Sequence, residues 1–360
     1  MNFSYQFPVV RGIQAGKIYY IAMVPLKMLS RLFPNEEEYV LPEYRAQRKL
    51  NQGRIPEIKR YILENKETYV FSALAASIDG EHNFVESEQK DIGILEISLD
   101  AKFLINDGQH RKAAIMAALE EDAELGNETI SVVFYTDKDL ARSQQMFTDL
   151  NKHAVKTSNS IAELYDSRDP LAVTTRKVIA EIPFYNEYVD KERDILGKFS
   201  SALFTLNTFY TANRRILRRE SCNKTFEAFL VNFWSSVCEH MVPWKEMLQK
   251  EISKKELREQ YIASQAVVIQ AFGKIGLYFY ENKIDYIENY MKDLEKINWK
   301  RSSTIWRLRV IRSNGRMINN ENAIILTSNV IKTSLGITLS DDEKMSEDEF
   351  KTNNIIKVGE

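Results

Sequence analysis

The hydrophobic periodicity of this chain changes once, near residue 159, and that change limits its possible folds more than any other feature. Before it, apolar residues alternate between strand-like and helix-like spacing; after it, almost every segment carries helical spacing alone. Residues 17–24 (KIYYIAMV), 70–75, 92–99, 103–105 and 129–135 read as strands. Residues 54–64, 109–121 and 138–150 read as helices between them. Interleaved strands and helices predict an α/β layer architecture. Further on, residues 161–165, 170–182, 201–217, 225–241, 254–281 and 321–335 read as helices, the last closed by Gly336. A length of 360 residues fits two packed regions. The expected organisation is an α/β module over 1–158, a helical region over 159–340, and an acidic flexible tail over 341–360. In that tail, residues 341–349 hold six acids in nine positions and read as a solvated segment.

Charge excludes any argument from bulk attraction to a polyanion. Lys plus Arg number 49 against 51 Asp plus Glu, with a pI near 6.2. Contact with nucleic acid must therefore come from local clusters. Two cysteines, Cys222 and Cys238, are too few for a disulfide framework or an all-cysteine metal site and read as buried reduced thiols. The four histidines are scattered and form no metal-ligand spacing, so no metal site is expected. No run approaches 18 apolar residues, and the first eleven residues lack a signal-peptide layout. A cytoplasmic protein without a membrane segment is expected.

The sharpest local feature is Ile105-Asn106-Asp107-Gly108-Gln109-His110-Arg111-Lys112. A strand feeds a tight Asp-Gly turn and a helix opens at once. A helix N-terminus offers unsatisfied N–H groups and the positive end of its dipole, both suited to an anion. Gly108 has no side chain to hold a phosphate away, Arg111 can reach back with a bidentate fork, and Lys112 adds a point charge. His110 can donate to a phosphate or move a proton, and if the turn is catalytic, His110 and Asp107 are the candidate groups. The plainer alternative has Asp107 capping the helix, His110 packing locally and Arg111 pairing with an acid.

Asp107-Gly108-Gln109-His110-Arg111 resembles the signature of the DGQHR-domain family, in the same strand-to-helix placement. Gln47-Arg48 with Asn51 and Arg54 upstream agree with it. So do Met146-Phe147-Thr148-Asp149-Leu150-Asn151 and the residues to Ser158, and Ile297-Asn298-Trp299 with Trp306 and Gly315. Within that family the chain looks most like the DndB group, associated with DNA phosphorothioate modification. The region is also distantly similar to the ParB/sulfiredoxin fold, in which an arginine-bearing turn before a helix holds nucleotide phosphates. The resemblance thus implies a ParB/sulfiredoxin-like α/β (α+β) module followed by a mainly helical region. It also implies a nucleotide pocket lined by Gly108, Gln109, His110, Arg111 and Lys112, with Gln47, Arg48, Arg54 and Asn151 as flanking donors. The implied ligand is a nucleoside triphosphate, ATP first, with Mg2+ as an optional companion. Gln109 stands where a sulfiredoxin would need its cysteine, which argues against sulfinic-acid repair. No GxxxxGK[ST] loop is present, so a Walker-type ATPase is excluded.

Two clusters carry the expectation of DNA. Arg214, Arg215, Arg218 and Arg219 recur at spacings of three and four, which a helix would gather onto adjacent faces. Residues 296–320 hold seven basic residues and no acid, Lys296, Lys300, Arg301, Arg307, Arg309, Arg312 and Arg316, with Trp299 and Trp306 interleaved. Such arginines neutralise phosphates and such rings stack on bases. Alternatively, the tryptophans are core and the arginines pair with acids elsewhere. The expected function is a double-stranded-DNA-binding transcriptional regulator of a phosphorothioation system, responsive to nucleotide, with other phosphorothioation proteins or further copies of itself as candidate partners. The alternative is an NTP-hydrolysing enzyme acting on DNA or in defence against foreign DNA.

Overall fold

The computed structural model describes residues 4–34, 51–136, 145 and 157–358. The chain divides into two compact units, Met1–Val155 and Lys156–Glu360.

The first unit is built on a seven-stranded mixed sheet in the order β4-β5-β1-β2-β7-β3-β6. Its strands are β1 (Ser4–Gln14), β2 (Lys17–Pro25), β3 (Leu74–Asp79), β4 (His82–Glu86), β5 (Ile92–Ser98), β6 (Lys102–Asp107) and β7 (Thr129–Tyr135). All neighbours pair antiparallel except β3 and β7. Among the described residues, the α-helices given bounds in this unit are α1 (Leu29–Leu32), α2 (Ile55–Glu64) and α3 (Gln109–Leu119). The pleat sorts the side chains by face. Phe7, Val9, Tyr20, Ala22, Val24, Leu95, Ile97, Val132 and Phe134 enter one core with Ile62 of α2 and Ala114, Ile115 and Ala118 of α3. On the alternate positions Val10, Ile21 and Met23 are exposed, the one-covered-face pattern of an antiparallel sheet.

β1 departs from the sequence reading, because Pro8 and Gly12 interrupt its β-forming run. Gly12 leaves room for the Tyr19 ring across the ladder: a Cβ there would fall 2.4 Å from the ring and push it aside. The strand expected over 70–75 lies four residues later, where Leu74, Ala76 and Ile78 are all fully buried. The helix expected over 138–150 falls outside the described residues, apart from Gln145.

The second unit contains α4 (Asn159–Tyr165), α5 (Pro170–Glu181), α6 (Pro183–Tyr188), α7 (Leu206–Leu217), α8 (Lys224–His240), α9 (Val242–Leu248) and α10 (Lys254–Gln260). It continues with α11 (Ala266–Glu281), α12 (Ile287–Met291), α13 (Glu321–Ser334) and α14 (Asp341–Val358). A two-residue parallel pair, β8 (Val189–Asp190) and β9 (Phe204–Thr205), precedes α7. Its core is aromatic, with Tyr185 packed edge-on to Phe209, Trp234 and Trp244. Asn213 sits inside this core at no cost in unmet hydrogen bonds: it donates to Thr175 Oγ1 and accepts from Trp234 Nε1 at 2.8 Å. α7 and α11 approach closely at Gly273, where a Cβ would lie 2.8 Å from the Ala212 carbonyl oxygen.

Three expectations are corrected in this unit. The single helix over 254–281 is broken at residues 261–265, because the Ile262 N–H bonds the Trp299 carbonyl and Tyr261 bridges Lys300. The 341–349 segment is largely exposed, as expected, but it is the first half of α14 and not a loose tail, tied down by Lys332–Glu343 and Arg309–Glu347 ion pairs, each 2.6 Å long. Cys222 and Cys238 are free but only half-buried, with burial pushing the Cys238 thiol up to about 11.

Candidate functional site

At the Asp107–Lys112 turn, β6 ends on Asp107, which pairs with Ala75 next to a register shift in the β3–β6 ladder that skips Asn106. Such a bulge re-aims the side chains that follow. Gly108 then takes φ of 102° and opens α3 with no side-chain cap. The turn needs glycine twice over, for its left-handed φ and because a Cβ would sit 2.3 Å from Leu74 Cδ2. The first intrahelical bond runs from Lys112 N–H to the Gly108 carbonyl. No Asx, Ser or Thr side chain caps this N-terminus, so its backbone end suits an anion.

The side chains divide by role. The Arg111 guanidinium is turned inward: Nη1 donates to the Ser72 carbonyl at 2.6 Å, Ser72 Oγ at 2.6 Å and the Ala73 carbonyl at 2.9 Å, and Nη2 to Asp107 Oδ2 at 2.5 Å. This fork holds the 72–73 segment to the turn instead of standing open to a ligand. The Asn51 N–H donates to His110 Nε2 at 3.0 Å, which makes Nε2 an acceptor and places the ring proton of the neutral imidazole on Nδ1. The Asn51 carboxamide in turn accepts the Gly53 N–H, fixing the short helical turn that ends at Arg54. Gln109 is half-buried beside them. The structure therefore brings Asn51, Asp107, Gly108, His110 and Arg111 together. Arg54 closes the short turn that Asn51 opens, and Gln47, Arg48 and Asn151 lie outside the described residues. The N-terminus of α3 carries no side-chain cap, and the Arg111 guanidinium beside it is already engaged by Ser72, Ala73 and Asp107.

The arginines expected on DNA separate into two groups. Arg215 forms a two-pronged bond to Glu321 and also donates to Gln270. Arg309 is paired with Glu347 and lies 4.2 Å from the Phe350 ring centroid. Arg301 is half-buried against the carbonyls of Tyr261 and Arg258, and Arg218 pairs with Glu281. α7 ends at Leu217 with Arg218 at φ of 51°, so Arg218 and Arg219 are not on the helix with Arg214 and Arg215. Trp299 and Trp306 are stacked on each other in the core, which corrects their expected role as base-stacking rings.

Arg307, Arg312 and Arg316 are different. All three are exposed and none has an ion-pair partner among the described residues. They sit on a tight turn whose backbone is bonded Leu308 to Ile311, Arg312 to Arg316 and Ile318 to Val310, with Gly315 at φ of 78°. Arg214 is exposed over the Tyr210 ring, near Glu163, whose half-buried carboxyl is pushed up to about 8 by burial and by Asp194. Sequence reasoning missed a cleft of about 520 Å³ in this unit, bounded by Lys274, Tyr278, Lys332 and Ser340, because its walls come from segments far apart in the chain.

Among the described residues no cluster of His, Cys, Asp and Glu can hold a metal ion, and no helix is long and apolar enough to cross a membrane. A family model described as DndB, DNA-sulfur modification-associated, matches residues 7–338. No curated protein and no solved structure gives a match.

Proposed function

The chain belongs to the DndB family, which is associated with DNA sulfur modification, and from that premise we propose that it is a duplex-DNA-binding transcriptional regulator of such a system. In this reading the first unit is a ParB/sulfiredoxin-type module that takes a nucleoside triphosphate, ATP first, at the uncapped end of α3. Arg111 acts there as the clamp that sets the turn. The DNA contact comes from the second unit. The observation that carries the proposal is the turn bearing Arg307, Arg312 and Arg316, three exposed guanidinium groups without carboxylate partners among the described residues, on a chain whose net charge is only -2. On a neutral protein only such local charge reaches DNA, since longer-range attraction is screened within about 10 Å at ordinary salt.

Each phosphate neutralised adds about 0.9 to the slope of log affinity against log salt. The double variant Arg312→Ala/Arg316→Ala is therefore expected to bind duplex DNA more weakly, with the slope flattened by about 0.9 for each phosphate left without its arginine. Its melting temperature stays near wild type, because neither side chain is used in folding. Arg215→Ala/Arg309→Ala is the contrast: it removes internal ion pairs and should lower stability instead. Wild-type affinity and slope in the Arg312/Arg316 variant would place the DNA surface elsewhere. Hydrolysis at the α3 turn is the competing reading and needs His110 released from the Asn51 N–H. Phosphate release from ATP and Mg2+ by wild type, abolished in His110→Ala, would establish it.

A further inference from the structure

Between β8 and β9 the chain makes an excursion whose tip carries two of the most exposed large apolar side chains in the described protein, Ile195 at 86% and Phe199 at 94%. An isolated exposed apolar residue needs no explanation, but two on one short loop that is held rigid do. The entry is fixed by Asp190, whose carboxylate accepts the N–H groups of Glu192 and Arg193, each at 2.9 Å. The middle is fixed by Asp194, which accepts the Asn159 and Ser160 N–H groups at 2.8 Å and so closes the N-terminus of α4. The exit is fixed by Arg258, whose guanidinium donates to the carbonyls of Gly197 at 2.9 Å and Ser200 at 3.1 Å. The apolar tip is thus aimed by the fold rather than left to drift, and little ordering entropy remains to oppose binding.

Its chemistry suits a polyanion with an apolar interior. Arg193 and Lys198 are exposed beside the tip without carboxylate partners among the described residues, and Lys198 Nζ lies 5.8 Å from the Phe199 ring centroid. Two of the loop's three acids, Asp190 and Asp194, are spent on backbone N–H groups. The loop is also joined to the basic segment: the Arg258 carbonyl accepts Arg301 Nη2 at 3.1 Å, and the Arg301 N–H bonds the Gln260 carbonyl.

We infer that residues 195–199 form a wedge that enters duplex DNA at a base step, Phe199 and Ile195 partly unstacking the bases while Arg193 and Lys198 meet the flanking phosphates. Apolar wedges flanked by cations kink DNA in this way. The inference rests on the DNA-binding reading above, and the experiment separates the two. Wild type and the double variant Ile195→Ala/Phe199→Ala are titrated with a duplex carrying donor and acceptor dyes at its ends, across a range of salt. Both side chains are exposed, so the variant keeps the wild-type melting temperature. The wedge predicts that wild type bends the duplex by about 20° or more. It predicts that the variant loses the bend and about tenfold or more in affinity. The salt slope stays unchanged, because every cation that meets a phosphate is still present. Phe199→Trp restores both bend and affinity. A variant that binds and bends like wild type overturns the wedge alone and gives the tip to a protein partner. Wild type that does not bind the duplex overturns the DNA reading and the wedge with it.

Discussion

Replacing Arg111 with alanine lowers the melting temperature by roughly 6–12 °C, the shift that a loss of about 3 kcal/mol produces in a unit of this size. The size follows from what one guanidinium holds: two carbonyls and a hydroxyl of the 72–73 segment, and the Asp107 carboxylate across the turn. Only 18% of its side chain is exposed, so water replaces few of those bonds. Arg111→Lys recovers part of the loss, since an ammonium supplies charge but not the planar fork. Nucleotide affinity falls in the alanine variant together with stability, because the turn that presents the α3 N-terminus loosens. A variant with an unchanged melting temperature and abolished nucleotide affinity would instead make Arg111 a phosphate fork that swings outward, the role its place in the sequence suggests.

The second large effect is expected at the joint between α13 and α14. Lys332→Ala costs about 3–5 kcal/mol, because it leaves the Glu343 carboxylate buried and unpaired. The two side chains are 8% and 11% exposed and 2.6 Å apart. The carboxylate also accepts the Ser340 N–H at 3.0 Å, and the Glu343 carbonyl accepts the Asn329 carboxamide. The double replacement Lys332→Met/Glu343→Leu should recover most of the loss, since apolar residues of similar volume often serve as well as a buried pair. Burial alone would raise the Glu343 pKa, but the Lys332 ammonium and the Ser340 N–H outweigh it and hold it below its ordinary value of 4.5. A carboxyl with a lowered native pKa adds stability above its unfolded value and loses it as pH falls through the native one. Acid below about pH 4.5 should therefore loosen α14 in the wild type, read as faster proteolysis within residues 341–358, and the double replacement should remove that pH dependence. Equal proteolysis of both proteins at every pH would contradict this account.

How much of the structure is legible in the sequence depends on the range of the interaction. The β7 strand reads from its own alternation, TISVVFY, and forms at the same residues. The strand–turn–helix at Asp107–Lys112 reads equally well, since an Asp-Gly pair needs no distant partner to make a turn. What escapes the sequence is what distant residues decide. The break between α10 and α11 is set by pairing with residues 299–300, about forty positions away. The acids of 341–349 look solvated until α13 and the turn before it supply Lys332 and Arg309. Arg111 offers a fork to anything acidic, and only the fold shows that Ser72 and Ala73 take it. Ile195 and Phe199 carry no local signal for the same reason: composition cannot tell a buried phenylalanine from one that the loop turns outward.

The most direct test of the central claim is the affinity of wild type for duplex DNA, measured with and without saturating ATP, alongside the affinity for ATP with and without duplex. A regulator that answers to nucleotide must show a change in DNA affinity, and linkage requires the ATP affinity to change by the same factor, typically about 5–150-fold. Arg312→Ala/Arg316→Ala should weaken both DNA values alike while leaving ATP binding to the free protein intact. Identical DNA affinity in both titrations, or no duplex binding at all, would contradict the account.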